Sequence, residues 1–125
     1  MPDRESARQA LDRLIDAYNS KDADTLASVY AEDVQLWSSL GAETSGRASV
    51  LDHARELFAA LPNEKMAADT VVTDGETIVV EFTSTGTDAN DEPYEIKFTE
   101  IFELDGQFTG IRTYIDPDVV EAISH

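Results

Sequence analysis

The chain has 125 residues, with 26 acidic and 9 basic side chains and a formal net charge of −17. That length suits one domain spanning residues 1–125, and 42% hydrophobic with 28% charged residues suits a folded chain rather than a disordered one. The charge argues against nucleic acid and against an anionic membrane as partners, because no cluster of Lys and Arg interrupts the negative field.

Cysteine is absent, which removes disulfides, thiolate metal sites and a cysteine nucleophile. Met1-Pro2-Asp3-Arg4-Glu5 carries no apolar leader, and the longest apolar run is Leu57 to Leu61. Neither a signal peptide nor a membrane span is expected, so the expected location is cytoplasmic.

In chain order, Ala7, Ala10, Leu11, Leu14, Ile15 and Tyr18 form one face of a first helix ending near Asn19-Ser20. Asp22 or Asp24 can cap a second, shorter helix whose Leu26, Val29 and Tyr30 face inward and which ends before Asp33. Val34 to Ser38 reads as a short strand, and Leu40 to Ser45 as a polar connection. Ser45-Gly46-Arg47 opens a third helix with Val50, Leu51, Ala54, Leu57, Phe58 and Leu61 as its stripe, and Pro62 stops it.

The period then changes from that of a helix to that of a strand. Met66 to Thr73, Thr77 to Thr85, Tyr94 to Leu104 and Gln107 to Ile115 read as an antiparallel meander, with tight turns at Asp74-Gly75 and Asp105-Gly106. Helices first and strands last predict an α+β fold, with the helices on one face of a curved antiparallel sheet.

The third of these strands carries the chemistry. Tyr94, Ile96, Phe98, Phe102 and Leu104 share one face, and the only carboxylate in that series is Glu100. A carboxylic acid among aromatics is desolvated, its pKa rises, and at neutral pH it can donate to a developing oxyanion. A bulge that turns Glu100 outward, or a structural pairing with Arg112, is the competing reading. Glu81 falls on the opposite, solvent-facing side of its strand. His53 flanks the third helix and His125 ends the chain, a placement that makes no metal site. Gly-x-Ser-x-Gly, a phosphate loop and a dinucleotide fingerprint are all missing, so no cofactor is expected.

The order helix, helix, strand, helix, meander, with Tyr30-Ala31-Glu32-Asp33-Val34, Leu40-Gly41-Ala42-Glu43 and the Gly46-Arg47 helix start, resembles the nuclear transport factor 2-like superfamily. Within it the chain is similar to the SnoaL-like group, beside ketosteroid isomerases and limonene epoxide hydrolases. The resemblance implies a cone-shaped sheet wrapped around three N-terminal helices, an apolar pocket between them, and homodimers formed through the sheet.

Matched onto the isomerases, Glu100 takes the place of their protonated acid and Ser38 that of their general-base Asp. Leu14 stands at their oxyanion-hole Tyr, with Tyr18 one turn further along. Matched onto the epoxide hydrolases, Arg112 fits an arginine of the last strand, while Thr113 replaces the carboxylate beside it. Polyketide cyclases of the group need a single acid/base carboxylate. The pocket so implied is lined by Leu14, Tyr18, Tyr30, Leu36, Ser38 and Phe58 from the first half of the chain. Phe98, Glu100, Phe102, Ile111 and Thr113 come from the second.

Its expected guest is small, mostly apolar and neutral. Glu100 would serve as acid, with Ser38 or Tyr18 orienting the substrate in isomerase, cyclase or hydrolase chemistry. The alternative is a non-catalytic ligand-binding or dimerisation module on the same fold. Asp116, before Pro117, reads as an exposed strand end or as a carboxylate closing the pocket mouth.

Few lysines among many carboxylates also suit a cytosol of high salt, where screening relieves self-repulsion. The melting temperature is therefore expected to rise between 0.1 M and 2 M KCl in thermal scans. An unchanged value would contradict salt adaptation.

Overall fold

The computed structural model describes residues 4–124, and their side chains as far as residue 121. His125 lies outside them. Helix α1 (Arg4–Asn19) buries Ala7, Leu11, Leu14 and Ala17, one stripe at three- and four-residue spacing. It ends in a Schellman turn. The Asp22 amide donates to the Ala17 carbonyl (2.8 Å) and the Lys21 amide to the Tyr18 carbonyl (3.1 Å), which holds Lys21 at φ 59° in the left-handed region. Asp22 then caps α2 (Ala23–Val29) by accepting from the Thr25 amide at 3.1 Å.

Strand β1 (Tyr30–Ser38), strand β2 (Glu43–Ser45) and helix α3 (Arg47–Ala60) follow. Strands β3 (Lys65–Thr73), β4 (Thr77–Thr87), β5 (Pro93–Asp105) and β6 (Gln107–Tyr114) complete the sheet, and helix α4 (Pro117–Ser124) follows it. The six strands lie in the order β2-β1-β6-β5-β4-β3 in a curved sheet that does not close. Irregularities in register between Ala68 and Thr70 and between Glu103 and Leu104 add the twist that bends it. The predicted α+β class and helix-covered curved sheet are what the chain adopts. Among the described residues no helix is long and apolar enough to cross a membrane.

Four local expectations are corrected. Tyr30 begins a strand instead of ending the second helix, at φ −87° and ψ 135°, because Val29 and Tyr30 favour extended backbone and β6 pairs with this segment from Tyr30 onward. The polar connection Leu40 to Ser45 contains β2. Gly41 at φ 98° turns the chain, and Glu43–Ser45 folds back antiparallel on β1, where its polar residues suit an edge. The sheet is not wholly antiparallel, since β1 runs parallel to β6, a pairing between distant segments that local patterns do not encode. Finally, Asp116-Pro117-Asp118 starts a helix: the Asp118 amide donates to Asp116 Oδ1 at 2.9 Å and Pro117 takes the first helical position. Asp116 is thus an exposed helix cap.

The core lies between the helices and the inner face of the sheet. Leu11, Leu26, Val34, Ile78, Val80, Phe82, Phe102 and Phe108 are essentially inaccessible. Phe82 stacks on Phe98 and Phe102 tilts against Phe108, both with centroids 5.3 Å apart. On the outer face the register aligns Trp37, Arg112, Ile101, Val79 and Val72 in one row across five strands. Glu81 is exposed on that face, as its strand position predicts.

Candidate functional site

Between α1, α3 and the inner face of the sheet lies a cavity of about 240 Å³. Ten of the eleven expected pocket residues line it: Leu14, Tyr18, Tyr30, Leu36 and Ser38, then Phe98, Glu100, Phe102, Ile111 and Thr113. Phe58 does not. Val50, Ala54, Leu57 and Leu61 turn the cavity side of α3 inward, and Phe58, one residue beyond Leu57, rotates toward the end of α1. There its ring meets that of Tyr18 edge-on at 5.2 Å. The outer face carries a shallower groove beside Asp69, Glu81, Lys97 and Asp116. That groove is open to solvent and charged, so it lacks the enclosure that holds a small apolar guest.

Strand alternation places Glu100 on the inner face, in one row with Val80 of β4, Thr113 of β6 and Ser38 of β1. Its carboxyl is enclosed by protein, and the accessible part of the residue is reached through the cavity. Thr113 Oγ1 lies 2.5 Å from Glu100 Oε2. Arg112 points to the other face and pairs with Glu103 at 3.4 Å, so it is not the partner of Glu100. Burial pushes the Glu100 pKa up to about 7; the Thr113 hydrogen bond opposes this and the Glu64 carboxylate adds to it.

Two hydroxyls near Glu100 remain available. Tyr30 is hydrogen-bonded through its carbonyl, to Arg47 Nε at 3.0 Å, and its phenol has no partner among the described residues. Burial, with Glu100 beside it, raises the Tyr30 pKa and keeps the phenol protonated. Ser38 Oγ accepts from the Leu40 amide at 3.1 Å and keeps its own proton to donate.

Tyr18 is differently placed. Its phenol donates to Glu64 Oε1 at 2.8 Å, and Ser84 Oγ donates to Glu64 Oε2 at 2.5 Å. Lys21 Nζ caps the Glu64 carbonyl at 2.7 Å, above the Tyr18 and Phe58 rings. Asn19 makes a two-way amide pair with Met66, at 2.9 and 2.8 Å, which fixes the start of β3 to the end of α1. Burial first, then Glu64, raises the Tyr18 pKa, and burial lowers that of Lys21 against the pull of Glu64.

Among the cavity residues that sequence reasoning did not place there, two are ionisable, Glu64 and His53. Pro62-Asn63-Glu64 reads as a turn, yet Glu64 stands two residues before inward-facing Met66, and alternation carried one step further would have marked it. Ser84, on the same inner face as Phe82, was the matching polar signal. His53 sits on the cavity wall although it flanks the helix stripe.

Residues 11–111 match the model of the SnoaL-like domain. The chain belongs to that family. No curated protein matches it. Among solved structures, this SnoaL-like chain is similar to an NTF2-like protein of unknown function from Burkholderia pseudomallei (20% identity, 94% of this chain and 97% of that one, TM-score 0.83). It is also similar to a protein of ketosteroid isomerase-like fold from Catenulispora acidiphila in complex with trimethylamine (17%, 92% and 91%, 0.82). A third likeness is to an LEH-like epoxide hydrolase of M. tuberculosis (17%, 92% and 86%, 0.78). These structural likenesses show the shared fold.

The raised Glu100 pKa makes stability depend on pH in a definite direction. The folded state holds the Glu100 proton up to about pH 7 and the unfolded chain releases it near 4.5. Glu100 therefore favours folding fully below pH 4.5 and loses that contribution as pH rises through 7. Glu100→Gln is expected to be more stable than wild type at pH 8, by roughly 1–3 kcal/mol, and no more stable at pH 4. Urea titrations at the two pH values measure the difference, and a carboxyl-carbon NMR titration reads the pKa itself.

Proposed function

We propose that this chain binds a small, neutral, mostly apolar carbonyl compound in the cavity and that Glu100, in its protonated form, is the acid of an isomerase-, cyclase- or hydrolase-type reaction. The observation that carries this is the enclosed Glu100 carboxyl, pushed up to about 7, in an apolar cavity beside the available hydroxyls of Tyr30 and Ser38. Three O–H groups on one side of the cavity suit a carbonyl oxygen that gains negative charge as an enolate forms. Donors of this kind act more strongly where water is excluded.

In this reading Tyr30 joins Glu100 in holding the oxyanion, and Ser38 orients the substrate. Tyr18 does not take the oxyanion, because its one proton is committed to Glu64. His53, whose imidazole can both give and take a proton, also lines the wall and is the candidate relay. No Lys or Arg lines the cavity among the described residues, which supports a neutral guest over an anion. The trimethylamine bound by the Catenulispora protein supports a small one.

Turnover of simple enones, epoxides or polyketide-like ketones, followed by absorbance, is expected to fall tenfold per pH unit above about pH 7, as Glu100 loses its proton. Glu100→Gln should lower kcat by about 10²–10⁴ while leaving Kd within a few-fold, since the amide still donates a hydrogen bond. Turnover unaffected by Glu100→Gln would leave the non-catalytic binding reading in its place.

The outer face supports a homodimer. Trp37, Val72 and Tyr114 are 39%, 62% and 42% exposed there, more apolar surface than a sheet facing only water needs. Sedimentation velocity in 2 M KCl is expected to give about twice 13.7 kDa. A species of monomer mass at 100 µM would overturn the assembly.

A further inference from the structure

The cavity has a second polar station that the Glu100 reading does not use. Glu64 is buried, 7% exposed, and each carboxylate oxygen accepts one hydroxyl, from Tyr18 and from Ser84. A carboxylate offers about four acceptor positions, so two are unfilled, and both Glu64 and Tyr18 line the cavity. The Tyr18 phenol has given its only proton away and faces the cavity as an acceptor. Tyr18 and Glu64, the polar groups of this station on the cavity wall, thus accept, and the buried Tyr94 phenol beside Ser84 and Glu64 is not part of that wall. At the Glu100 station, by contrast, Tyr30 and Ser38 have protons to give.

The two stations stand apart along the sheet. Ser84 is paired with Ile96, and Glu100 lies four residues further along the same strand, a separation of about 13 Å between backbones. Phe98 lies between them on the inner face.

We infer that Tyr18 and Glu64 form a subsite for a hydrogen-bond-donating hydroxyl, so that the guest is a hydroxy-ketone. Its carbonyl meets Glu100, Tyr30 and Ser38, its hydroxyl meets Glu64, and an apolar skeleton spans the aromatic middle. This rests on the carbonyl reading of the Glu100 station. A hydroxyl left unpaired against a buried carboxylate costs far more than one in water, and an ether in its place has no proton for the two unfilled acceptor positions. The cluster is therefore a device for selecting substrates. Its ties to α1 and β4 hold the carboxylate in position for that purpose.

The probes are acetophenone, 4-hydroxyacetophenone and 4-methoxyacetophenone, with Kd values read by NMR titration of the full chain in 2 M KCl at pH 6. The hydroxy compound is expected to bind about tenfold or more tighter than the methoxy compound. Glu64→Gln should abolish that preference while acetophenone still binds. Acetophenone binding without a hydroxyl preference overturns the subsite alone. A preference that survives Glu64→Gln, or a loss of affinity for all three ketones together, also overturns it, the latter showing that Glu64 only holds the fold. No binding of any ketone at 10 mM overturns the carbonyl reading and this inference with it. If Glu64→Gln does not fold, Tyr18→Phe supplies the test: freeing Oε1 should sharpen the preference, and an unchanged or weaker one overturns the assignment.

Discussion

The end of helix α1 is where the two layers of the molecule are locked together. Asn19 pairs with Met66 as one strand would with another, Tyr18 reaches Glu64, and Lys21 returns to the Glu64 carbonyl. These bonds tie α1 to β3, and Ser84 extends the tie to β4. An apolar void of about 240 Å³ would otherwise be an incentive for the helices to settle onto the sheet. Polar ties at fixed lengths resist that collapse, because closing the gap would break hydrogen bonds made by buried and half-buried groups. The cavity is thus held open by the same groups that give one end of it its chemistry.

Two carboxylates in one cavity, with no cation on its wall among the described residues, cannot both stay ionised without cost. Each is met by a different number of hydroxyl donors. Glu64 has Tyr18 and Ser84, whereas Glu100 has Thr113 alone. Burial, with Glu64 adding to it, therefore keeps the proton on Glu100, and Thr113, which can give or take a hydrogen bond, serves either state. The contrast between the two sites follows from burial and from how these hydroxyls are distributed over two strands and a helix, not from any difference between two glutamates.

What could be read in the sequence was what depends on local period. The stripe of α1, the alternation of β5 and hence the inward carboxyl of Glu100 are properties of short windows, and they carried over to the fold. The SnoaL-like assignment supplied the cavity and ten of its wall residues. What stayed hidden depends on long-range geometry. The parallel pairing of β1 with β6 joins segments about 75 residues apart, and β2 is three polar residues that are a strand only because β1 lies beside them. Phe58 was misplaced by one step of helix rotation. Glu64 sat under a turn signal, just outside the window where alternation is counted, although Met66, two residues on, and its cross-strand partner Ser84 obey that alternation.

The single tryptophan of the chain has an optical consequence. Trp37 lies on the outer face, 39% exposed, with its ring 5.2 Å from that of Tyr114 and the sheet between it and the cavity. Its fluorescence is thus wired to events on the outside of the sheet. Burial of that face would shift the emission to the blue, while a guest beside Glu100 would leave it largely unchanged. The rings nearest the guest are Tyr18, Tyr30, Phe98 and Phe102, whose spectra lie further into the ultraviolet. The fold has thereby separated two signals by wavelength: one colour for the surface, another for the interior.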